Sequence, residues 1–395
     1  MSRCVVITDG EHRSALALTR SLGRAGHRVI ACSTRRRSIS GASRYSATTT
    51  LVPSPLNDPA AFANEISNVV RRESADVLIP VSEASLLALL PKREELRPCV
   101  VPFASAERFA DICDKSRVLA AATRHGIAVP DQHRLDSISD LARLDGNLNF
   151  PLVVKPSRSV ADAGSTRLKS GAAHARDRSA LDAALNRIPP AAYPVLLQER
   201  IIGSGIGVFV LLWNGQLRAA FAHRRIREKP PSGGVSVVSE SIALDPDLLA
   251  RSVALLRDFD WQGVAMVEYK LDQKTNIPYL MEVNGRFWGS LQLAIDAGVD
   301  FPNLLVAAAC GEPTPPIGDY KLGVRLRWEW GDVDNLLLRL RRSRSALALP
   351  EGSPGRIQGM WDFVRAIGPG TRGEVFRIDD PRPFLRETVD WFRRR

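Results

Sequence analysis

Lysine is scarce in this chain of 395 residues, although the chain is basic, with a formal net charge of +11. Only eight of its 54 basic residues are lysines, so arginine carries the rest of the positive charge. A lysine in such a chain marks a position that favours a compact ammonium group over a planar guanidinium. The lysines stand at positions 92, 115, 155, 169, 229, 270, 274 and 321.

Cysteine is also sparse, and no two cysteines form a CxxC pair. The five cysteines lie far apart, which provides neither a zinc site nor a disulfide framework and is typical of reduced thiols. We interpret all five as structural or incidental. They are Cys4, Cys32, Cys99, Cys113 and Cys310.

Long apolar runs are missing as well. No stretch of 18 apolar residues occurs, and the start "MSRCVVITDG" enters a strand-like segment directly, without the apolar core of a signal peptide. We therefore expect a cytoplasmic protein without a membrane partner. The turn after the first strand, "TDGEHRSA", lacks the GxGxxG pattern, so a dinucleotide site is not favoured.

The basic runs do not form a nucleic-acid-binding pattern. They are short and scattered, at residues 35–37, 224–227, 339–344 and 393–395, and stacking aromatic residues do not interleave with them. Nucleic acid is therefore a poor candidate partner, while the sequence leaves a homodimer open.

The pattern of apolar residues predicts several domains, since a chain of this length exceeds one core. Strand-like and helix-like segments alternate up to residue 103, which predicts a small parallel α/β domain over 1–104. Residues 105–190 read as helix-rich with little strand, including a loop at "SRSVADAGSTR" and a helix at "AAHARDRSALDAALNRI". Residues 191–312 read as strands, with a hairpin at Asn214-Gly215. Residues 313–395 read as a small mixed appendage with helices at "DNLLLRLRRS" and "RPFLRETVDWF".

Two carboxylates stand out in the segments "GVAMVEYKLD" and "IPYLMEVNGRFWGS". About four residues join these segments, so we predict an antiparallel hairpin, and a turn centred on Thr275 places Glu268 opposite Glu282. Directly opposed carboxylates repel and require a counter-ion or a shared proton. Asn284 and Arg286 follow at spacings of two and share the face of Glu282. The donor set suits Mg²⁺ bound beside phosphate, although an ordinary surface charge network stays open on these residues alone.

The motifs "VEYK" and "LMEVNGRFWGSLQLAIDAGVDFP" resemble the metal-binding end of the ATP-grasp superfamily, and most of all its carbamoyl-phosphate-synthetase-type branch with many carboxylate-amine ligases. The resemblance covers about residues 112–310. It implies an α/β and α+β multidomain fold in which two lobes, 105–190 and 191–312, clasp ATP behind the N-terminal α/β domain. It implies ATP and one or two Mg²⁺ or Mn²⁺ ions as cofactors. In this reading Glu268, Glu282 and Asn284 are the metal ligands, and Arg286 contacts phosphate or an acyl phosphate.

The resemblance also implies a nucleotide site. Lys155 in "LVVKP" and Lys115 in "DKSRVL" match the lysines that reach the nucleotide. The segment "LLQERIIG" matches the hinge that meets adenine, which points to Gln198, Glu199, Arg200 and Ile201. The loop after Lys155 has only Gly164 where the family is glycine-rich, so hydroxyl groups, Ser165 among them, are the substitutes over phosphate. Gly285 stands where the family usually has proline.

The stretch "HRRIREKPPSGGVSV" is a candidate acceptor site. On a strand, His223, Arg225 and Arg227 share one face, and Gly233-Gly234 lets backbone approach a ligand closely. We expect these residues to bind a substrate carboxylate or phosphate. A solvated basic hairpin is the alternative.

These observations predict an ATP- and Mg²⁺-dependent ligase that activates a carboxylate as an acyl phosphate for attack by an amine. Its partners are then small-molecule carboxylates and amines. A non-catalytic ATP-binding regulatory module is the first alternative, and a basic nucleic-acid-binding protein is the second.

Overall fold

The computed structural model describes residues 1–144, 148–350, 352–368 and 370–393. The predicted segments 105–190 and 313–395 therefore include positions that lie outside the described residues, namely 145–147, 351, 369, 394 and 395. Within the described ranges the chain forms three sheets of four or more strands and one separate two-stranded hairpin.

The N-terminal region alternates strands with helices. Its elements are β1 (Cys4–Ile7), α1 (Arg13–Arg24), β2 (Arg28–Ser33), β3 (Thr48–Leu51), α2 (Pro59–Glu73), β4 (Val77–Ile79) and α3 (Glu83–Leu89). The strands are parallel in the order β3-β2-β1-β4. Asp58 and Ser82 accept backbone N–H groups at the starts of α2 and α3, which determines where these helices begin. The predicted parallel α/β fold is confirmed, and the loops after its four strands leave at one edge.

The next region builds a small antiparallel sheet. Its elements are α4 (Ala106–Ile112), α5 (Lys115–Arg124), β5 (Gln132–Leu135), β6 (Leu152–Pro156), β7 (Val160–Ala163), β8 (Thr166–Lys169), β9 (Ala173–Ala175), α6 (Arg178–Leu185) and β10 (Val195–Glu199). The sheet has the order β5-β10-β6-β9, and β7 pairs only with β8.

The expectation of little strand over 105–190 is wrong, because the described part of this range contains five strands. Each is only three to five residues long, so none shows a clear alternating pattern. The expected loop at "SRSVADAGSTR" is the hairpin β7–β8, with Gly164 at φ +74° in its turn. The helix expected from residue 172 begins only at Arg178, because Asp177 caps it there.

A seven-stranded sheet forms the large lobe. Its first elements are β11 (Gly203–Trp213), β12 (Gln216–Lys229), β13 (Val235–Ser241), α7 (Pro246–Asp258), β14 (Gly263–Asp272), β15 (Pro278–Asn284), α8 (Leu291–Ala297) and α9 (Phe301–Ala309). Asn214 and Gly215 have φ of 51° and 72° and form the predicted hairpin turn. No single helix among the described residues has the length and apolarity to cross a membrane, and only the pair α8 and α9, bent by 93°, passes when taken together.

The C-terminal region completes this sheet and packs on the N-terminal region. Its elements are β16 (Arg325–Arg327), α10 (Glu329–Arg341), α11 (Arg356–Arg365), β17 (Thr371–Gly373) and α12 (Arg382–Arg393). The strand order is β15-β14-β11-β12-β13-β16-β17. The two predicted helices correspond to α10 and α12, whereas α11 and the two short strands were not expected. The buried Arg20 of α1 pairs with the buried Asp380 at 2.9 Å and donates to the carbonyl of Val375 at 2.8 Å.

The hydrophobic cores show which parts of the chain pack together. One continuous core joins the N-terminal strands to the large sheet, from Val5 and Ile30 to Phe209 and Val264. The small sheet has a separate core, in which Leu135, Val154, Leu181 and Leu197 are buried. The N-terminal region and the large lobe are therefore one packed body, on which the small lobe sits with its own core.

Candidate functional site

Two carboxylates face each other at the end of the β14–β15 hairpin. Glu268 is directly opposite Glu282 in the antiparallel register, as the turn centred on Thr275 predicts. The register shifts by one residue between Glu268 and Tyr269, so a β-bulge follows the pair immediately. Pairing resumes beyond the bulge at Tyr269 and Leu280, so the irregularity lies directly beside the two acidic side chains.

Glu268 is neutralised from the neighbouring strand β12. Arg225 Nη2 donates to Glu268 Oε2 at 2.6 Å, and Arg225 Nη1 donates to Glu228 Oε1 at 3.0 Å. Burial raises the pKa of Glu268, Arg225 lowers it, and the facing Glu282 raises it again. Arg225 therefore bridges two carboxylates of the protein rather than standing free for a substrate.

Glu282 is surrounded by cations and amide groups. Lys115 Nζ lies 3.6 Å from Glu282 Oε2, and Asn284 Nδ2 donates to Glu282 Oε1 at 3.0 Å. Arg286 Nη2 donates to Asn284 Oδ1 at 2.9 Å. Burial by itself would raise the pKa of Glu282, but Lys115 and Lys155 outweigh it and hold the pKa at about 2. One member of the carboxylate pair is thus firmly ionised.

The donor set fits a divalent cation that is completed by a ligand. Two carboxylates and the Asn284 amide oxygen are hard oxygen donors on adjacent positions of one hairpin. In the described part of the chain, no cluster of three or more His, Cys, Asp or Glu side chains could hold a metal alone. Mg²⁺ is usually held by one or two carboxylates together with substrate phosphates and water. The residues therefore fit a magnesium site that requires a phosphate-bearing ligand.

Two of the rare lysines lie beside this pair, although they belong to other elements. Asp114 accepts backbone N–H groups at the start of α5, and Lys115 is the first residue of that helix. Its ammonium donates to Ser159 Oγ at 2.9 Å in the segment before β7. Lys155 stands near the end of β6, where burial lowers its pKa and Glu282 raises it. Both ammonium groups line the cavity that contains the carboxylates.

The predicted adenine segment lies at the end of β10 and beyond. The four residues from Gln198 to Ile201 line the same cavity. Gln198 Nε2 donates to Gln132 Oε1 at 2.9 Å, while its own buried Oε1 has no hydrogen-bond partner among the described residues. Arg200 Nη2 donates to the carbonyl of Ala348 at 2.6 Å. Apolar side chains, Val153 and Ile201 among them, also line this wall.

The predicted acceptor residues divide into two groups. His223, Arg225, Gly233 and Gly234 line the cavity, and the buried His223 Nδ1 lies 3.3 Å from Ser290 Oγ. Burial holds the pKa of His223 well below its usual range, so its imidazole is neutral. Gly233 has φ of +130°, a conformation that favours glycine.

Arg227 does not share the cavity face with Arg225, contrary to the expected alternation. The pairing of β12 with β13 shifts register between Arg225 and Arg227, and this irregularity turns Arg227 away. Arg227 makes two bonds to Asp332, at 2.7 and 2.8 Å, and does not line the cavity. It is therefore part of the packing of α10.

Ser165 is the second predicted residue that the structure keeps out of the cavity wall. It is exposed in the turn of the β7–β8 hairpin, next to Gly164. Ser159 lines the cavity and accepts from Lys115, so a hydroxyl of this segment does lie beside a lysine of the predicted phosphate site.

Several residues at the site were not expected from the sequence. Glu83, the first residue of α3, lines the cavity, and its buried Oε1 has no hydrogen-bond partner among the described residues. Burial raises its pKa, which Arg286 and Lys115 lower. His174 on β9 lines the cavity with its pKa lowered to about 4 by burial and nearby cations. The only sequence signal was that Glu83 follows a buried strand of a parallel sheet, where ligand-binding loops lie.

The cavity itself has a volume of about 1040 Å³ and is bounded by all regions of the chain. The loops after β1, β2 and β4 contribute His12, Arg35 and Glu83, while the C-terminal region contributes Trp328 and Trp391. Small-molecule sites usually measure roughly 300–1,000 Å³. The space is therefore sufficient for a nucleotide together with a second small ligand.

Residues 192–331 match a family model described as "ATP-grasp in the biosynthetic pathway with Ter operon". Among curated proteins, the chain is 32% identical over 117 residues to the formate-dependent phosphoribosylglycinamide formyltransferase of Synechococcus sp. (strain CC9311). That match covers 30% of this chain and 29% of the relative, so the chain spans less than a third of the curated relative that it matches.

Solved structures share the fold at low sequence identity. The L-amino acid ligase of Bacillus licheniformis superimposes with a TM-score of 0.62 and 18% identity, over 78% of this chain and 74% of that protein. The biotin carboxylase domain of Hydrogenobacter thermophilus 2-oxoglutarate carboxylase, solved with MgADP, ADP and bicarbonate, gives 0.63 and 16%, over 82% and 73%. The chain therefore shares the fold of these solved structures, and its residues 192–331 match the ATP-grasp family model, as the motifs "VEYK" and "LMEVNGRFWGS" predict.

Proposed function

We propose that this chain is an ATP- and Mg²⁺-dependent ligase that joins a carboxylate to an amine. The observation that carries the proposal is the opposed pair Glu268 and Glu282, set in one cavity with Lys115, Lys155 and Arg286. Acidic metal ligands beside several fixed cations suit phosphoryl transfer, where positioning and charge neutralisation supply most of the catalysis. The names of the similar proteins, an L-amino acid ligase and a formyltransferase, support a ligase of this kind.

In this proposal, ATP binds with its base at the end of β10 and its phosphates near the lysines. The backbone from Gln198 to Ile201 would meet the adenine edge, against the apolar wall that includes Val153. Lys115 and Lys155 would contact the phosphates. Glu268, Glu282 and Asn284 would hold one or two Mg²⁺ or Mn²⁺ ions, which neutralise phosphate charge when bound.

The reaction has two steps. An oxygen of the substrate carboxylate attacks the γ-phosphorus, the bond between that phosphorus and the β–γ bridging oxygen breaks, and ADP leaves. The nitrogen of the amine then attacks the carbonyl carbon of the acyl phosphate, inorganic phosphate leaves, and the amine loses a proton. Arg286, which donates to Asn284, would stabilise the transferred phosphoryl group, while His223, Gly233 and Gly234 would border the acceptor side.

We further propose a division of labour among segments 1–104, 105–190, 191–312 and 313–395. The supporting observation is that residues from each of them line one cavity. The small lobe would cover the nucleotide, and the large lobe would hold the metal. The first and last segments would select the carboxylate and the amine.

The test is a screen of amino acids, dipeptides and small acids for substrate-dependent release of ADP, followed by mass analysis of the product. An acyl phosphate is expected to be trapped by hydroxylamine as a hydroxamate. Glu268→Gln and Glu282→Gln are expected to reduce turnover by about 10²–10³-fold, whereas Glu312→Gln, a surface control, is expected to retain it. ATP binding without turnover under any substrate would contradict the proposal and favour a regulatory ATP-binding module.

A further inference from the structure

Helix α11 carries an apolar face that is largely exposed to solvent. Ile357, Met360, Trp361 and Val364 are 69%, 42%, 60% and 57% exposed. At 3.6 residues per turn these four side chains cover a sector of roughly 100° on one side of the helix. Single exposed apolar residues are ordinary, but a contiguous exposed apolar patch marks an interaction site.

The opposite face of α11 makes the contacts that hold this helix against the rest of the protein. Gly359 is buried against Arg339 of α10, and the Arg327 guanidinium lies 4.5 Å from the centre of the Phe363 ring. The carbonyl of Asp362 accepts from Arg227 at 2.9 Å. The exposed face is therefore not needed to hold the helix in position.

Arginines border the apolar sector of α11 on both sides. Arg356 and Arg365 are exposed, and their positions are about half a turn apart around the helix, one at each margin of the sector. Long cationic side chains at the margins of an apolar stripe are typical of helices that lie in a membrane interface, because the stems extend to the polar headgroups.

An arginine-lined cavity adjoins the start of α11. It has a volume of about 530 Å³, and Arg339, Arg342, Arg344 and Arg356 line it without any carboxylate among its described lining residues. The surrounding stretch, 336–372, contains seven arginines, one aspartate and one glutamate. Arg339 and Arg344 donate to the backbone carbonyls of Pro354 and Ser353, so Arg342 and Arg356 are the guanidinium groups best able to pair with a phosphate.

We propose that α11 and this cavity dock the protein onto an anionic phospholipid bilayer. The apolar sector enters the boundary between headgroups and acyl chains, and Arg342 and Arg356 at the cavity bind lipid phosphates. An anionic bilayer supplies both the apolar depth and the negative charge that the two features require. We predicted no membrane partner because the sequence lacks long apolar runs. Peripheral binding through an amphipathic helix does not require such runs.

A second copy of the chain matches this surface less well than a bilayer does. A symmetric pair would bring the same patch of each copy together and would set its arginines against each other. Nucleic acid would match the arginines but not an apolar sector that includes Trp361 and Ile357. The proposal is independent of the ligase reaction, because no residue of this surface lines the cavity that holds Glu268 and Glu282.

The test is sedimentation of the full chain with sucrose-loaded vesicles of phosphatidylcholine, alone or with about one third phosphatidylglycerol. Binding is expected only with phosphatidylglycerol and is expected to weaken as salt rises. The fluorescence of Trp361 is expected to shift to shorter wavelength on binding. Trp361→Phe would remove the shift while preserving sedimentation, which separates this residue from the other six tryptophans of the chain.

Two variants test the apolar sector and the arginines separately. The triple variant Ile357→Asp, Trp361→Asp and Val364→Asp is expected to weaken binding about tenfold or more. The double variant Arg342→Gln and Arg356→Gln is expected to remove the preference for phosphatidylglycerol. Leu51→Asp, at an exposed apolar residue of the N-terminal region, is the matched control and is expected to bind as the parent does.

Four results would overturn the proposal. They are no sedimentation with phosphatidylglycerol at low salt, equal binding to both vesicle types, parental binding by the triple variant, and a concentration-dependent dimer that the triple variant abolishes. Loss of binding in millimolar inorganic phosphate with no effect of the triple variant would instead indicate a site for free anions. Because circular dichroism monitors folding and the altered side chains are exposed, these results are distinguishable from unfolding.

Discussion

Charged side chains near the two edges of the seven-stranded sheet have opposite surroundings: some line the open cavity, and others are enclosed in the protein. At the β14–β15 edge, Glu268 faces Glu282 in register, and both carboxylates line the cavity. Towards the opposite edge, where β16 precedes the terminal strand β17, the buried Asp332 of α10 is enclosed by Arg227 at 2.7 Å and Arg327 at 2.7 Å. Strand β12 contributes an arginine to both sites, since Arg225 donates to Glu268 and Arg227 donates to Asp332.

The difference teaches how to separate structural charges from functional ones. The carboxylate of Asp332 is paired with two arginines, and its side chain is 1% exposed. No charge there is left for a ligand to neutralise. At the cavity, Arg225 and Lys115 offset the charges of two opposed acids, and all four side chains line an open space that a ligand can occupy. Variants that remove a charge at each of the two sites therefore test the comparison.

The largest effect is expected from Glu282→Gln. Loss of one carboxylate removes a metal ligand, and we expect substrate-dependent ADP release to fall by about 10²–10³-fold. The melting temperature is also expected to fall at neutral pH, because the lowered pKa of Glu282 reflects a charge that Lys115 and Lys155 stabilise in the fold. Activity near the parent level in a steady-state assay would remove the cavity edge from the proposed chemistry.

At the other edge, Asp332→Asn is expected to reduce stability by about 3 kcal/mol, because it leaves two arginines without their shared partner. Glu240→Gln is the matched control: it also lies between two arginines, but these are 54% and 53% exposed. Its loss is expected to be below about 1 kcal/mol, as for exposed pairs. Urea unfolding followed by circular dichroism measures both, and equal losses would contradict the distinction between closed and solvated pairs.

Lys155→Met is expected to have an intermediate effect on ligand binding. Removal of the ammonium that lies near Glu282 should weaken ATP affinity about tenfold, or roughly 1.4 kcal/mol. Isothermal titration calorimetry measures this affinity, and Lys274→Met, at an exposed turn, is the control. If both variants bind ATP equally well, Lys155 does not contact the phosphates.

The smallest effect is expected from Glu374, which pairs with Arg13 at the junction of the first and last regions. Burial raises its pKa from 4.5 to about 7, although Arg13 opposes the shift. A carboxyl with a raised pKa favours the folded state while protonated, so its contribution is full below pH 4.5 and is lost as pH rises through about 7. Melting temperatures at pH 5 and pH 8 are expected to differ less for Glu374→Gln than for the parent, and an unchanged difference would refute this role.

The sequence predicted the cavity edge well because its signals are local. The facing of Glu268 and Glu282 followed from one short turn between two apolar segments. The N-terminal α/β order followed from alternating buried strands and capped helices. The roles assigned to these residues in catalysis stay predictions.

The remaining features could not be read locally. The irregularity that turns Arg227 toward Asp332 leaves no mark in the residues of β12. The approach of Glu83 to Arg286 joins positions that are distant along the chain, and a single sequence contains no signal for such a contact. The strands β7 and β8 are too short for an alternating pattern to emerge.

The pairing of Arg20 with Asp380 has a consequence for how the protein is made. The partner of Arg20 is 360 residues further along the chain. At about 5–20 residues per second, a ribosome delivers that partner roughly 20–70 s after it has passed Arg20. During that interval the Arg20 guanidinium of α1 lacks its partners at residues 374, 375 and 380. The N-terminal domain emerges first, but its packing is completed only when the end of the chain has been synthesised.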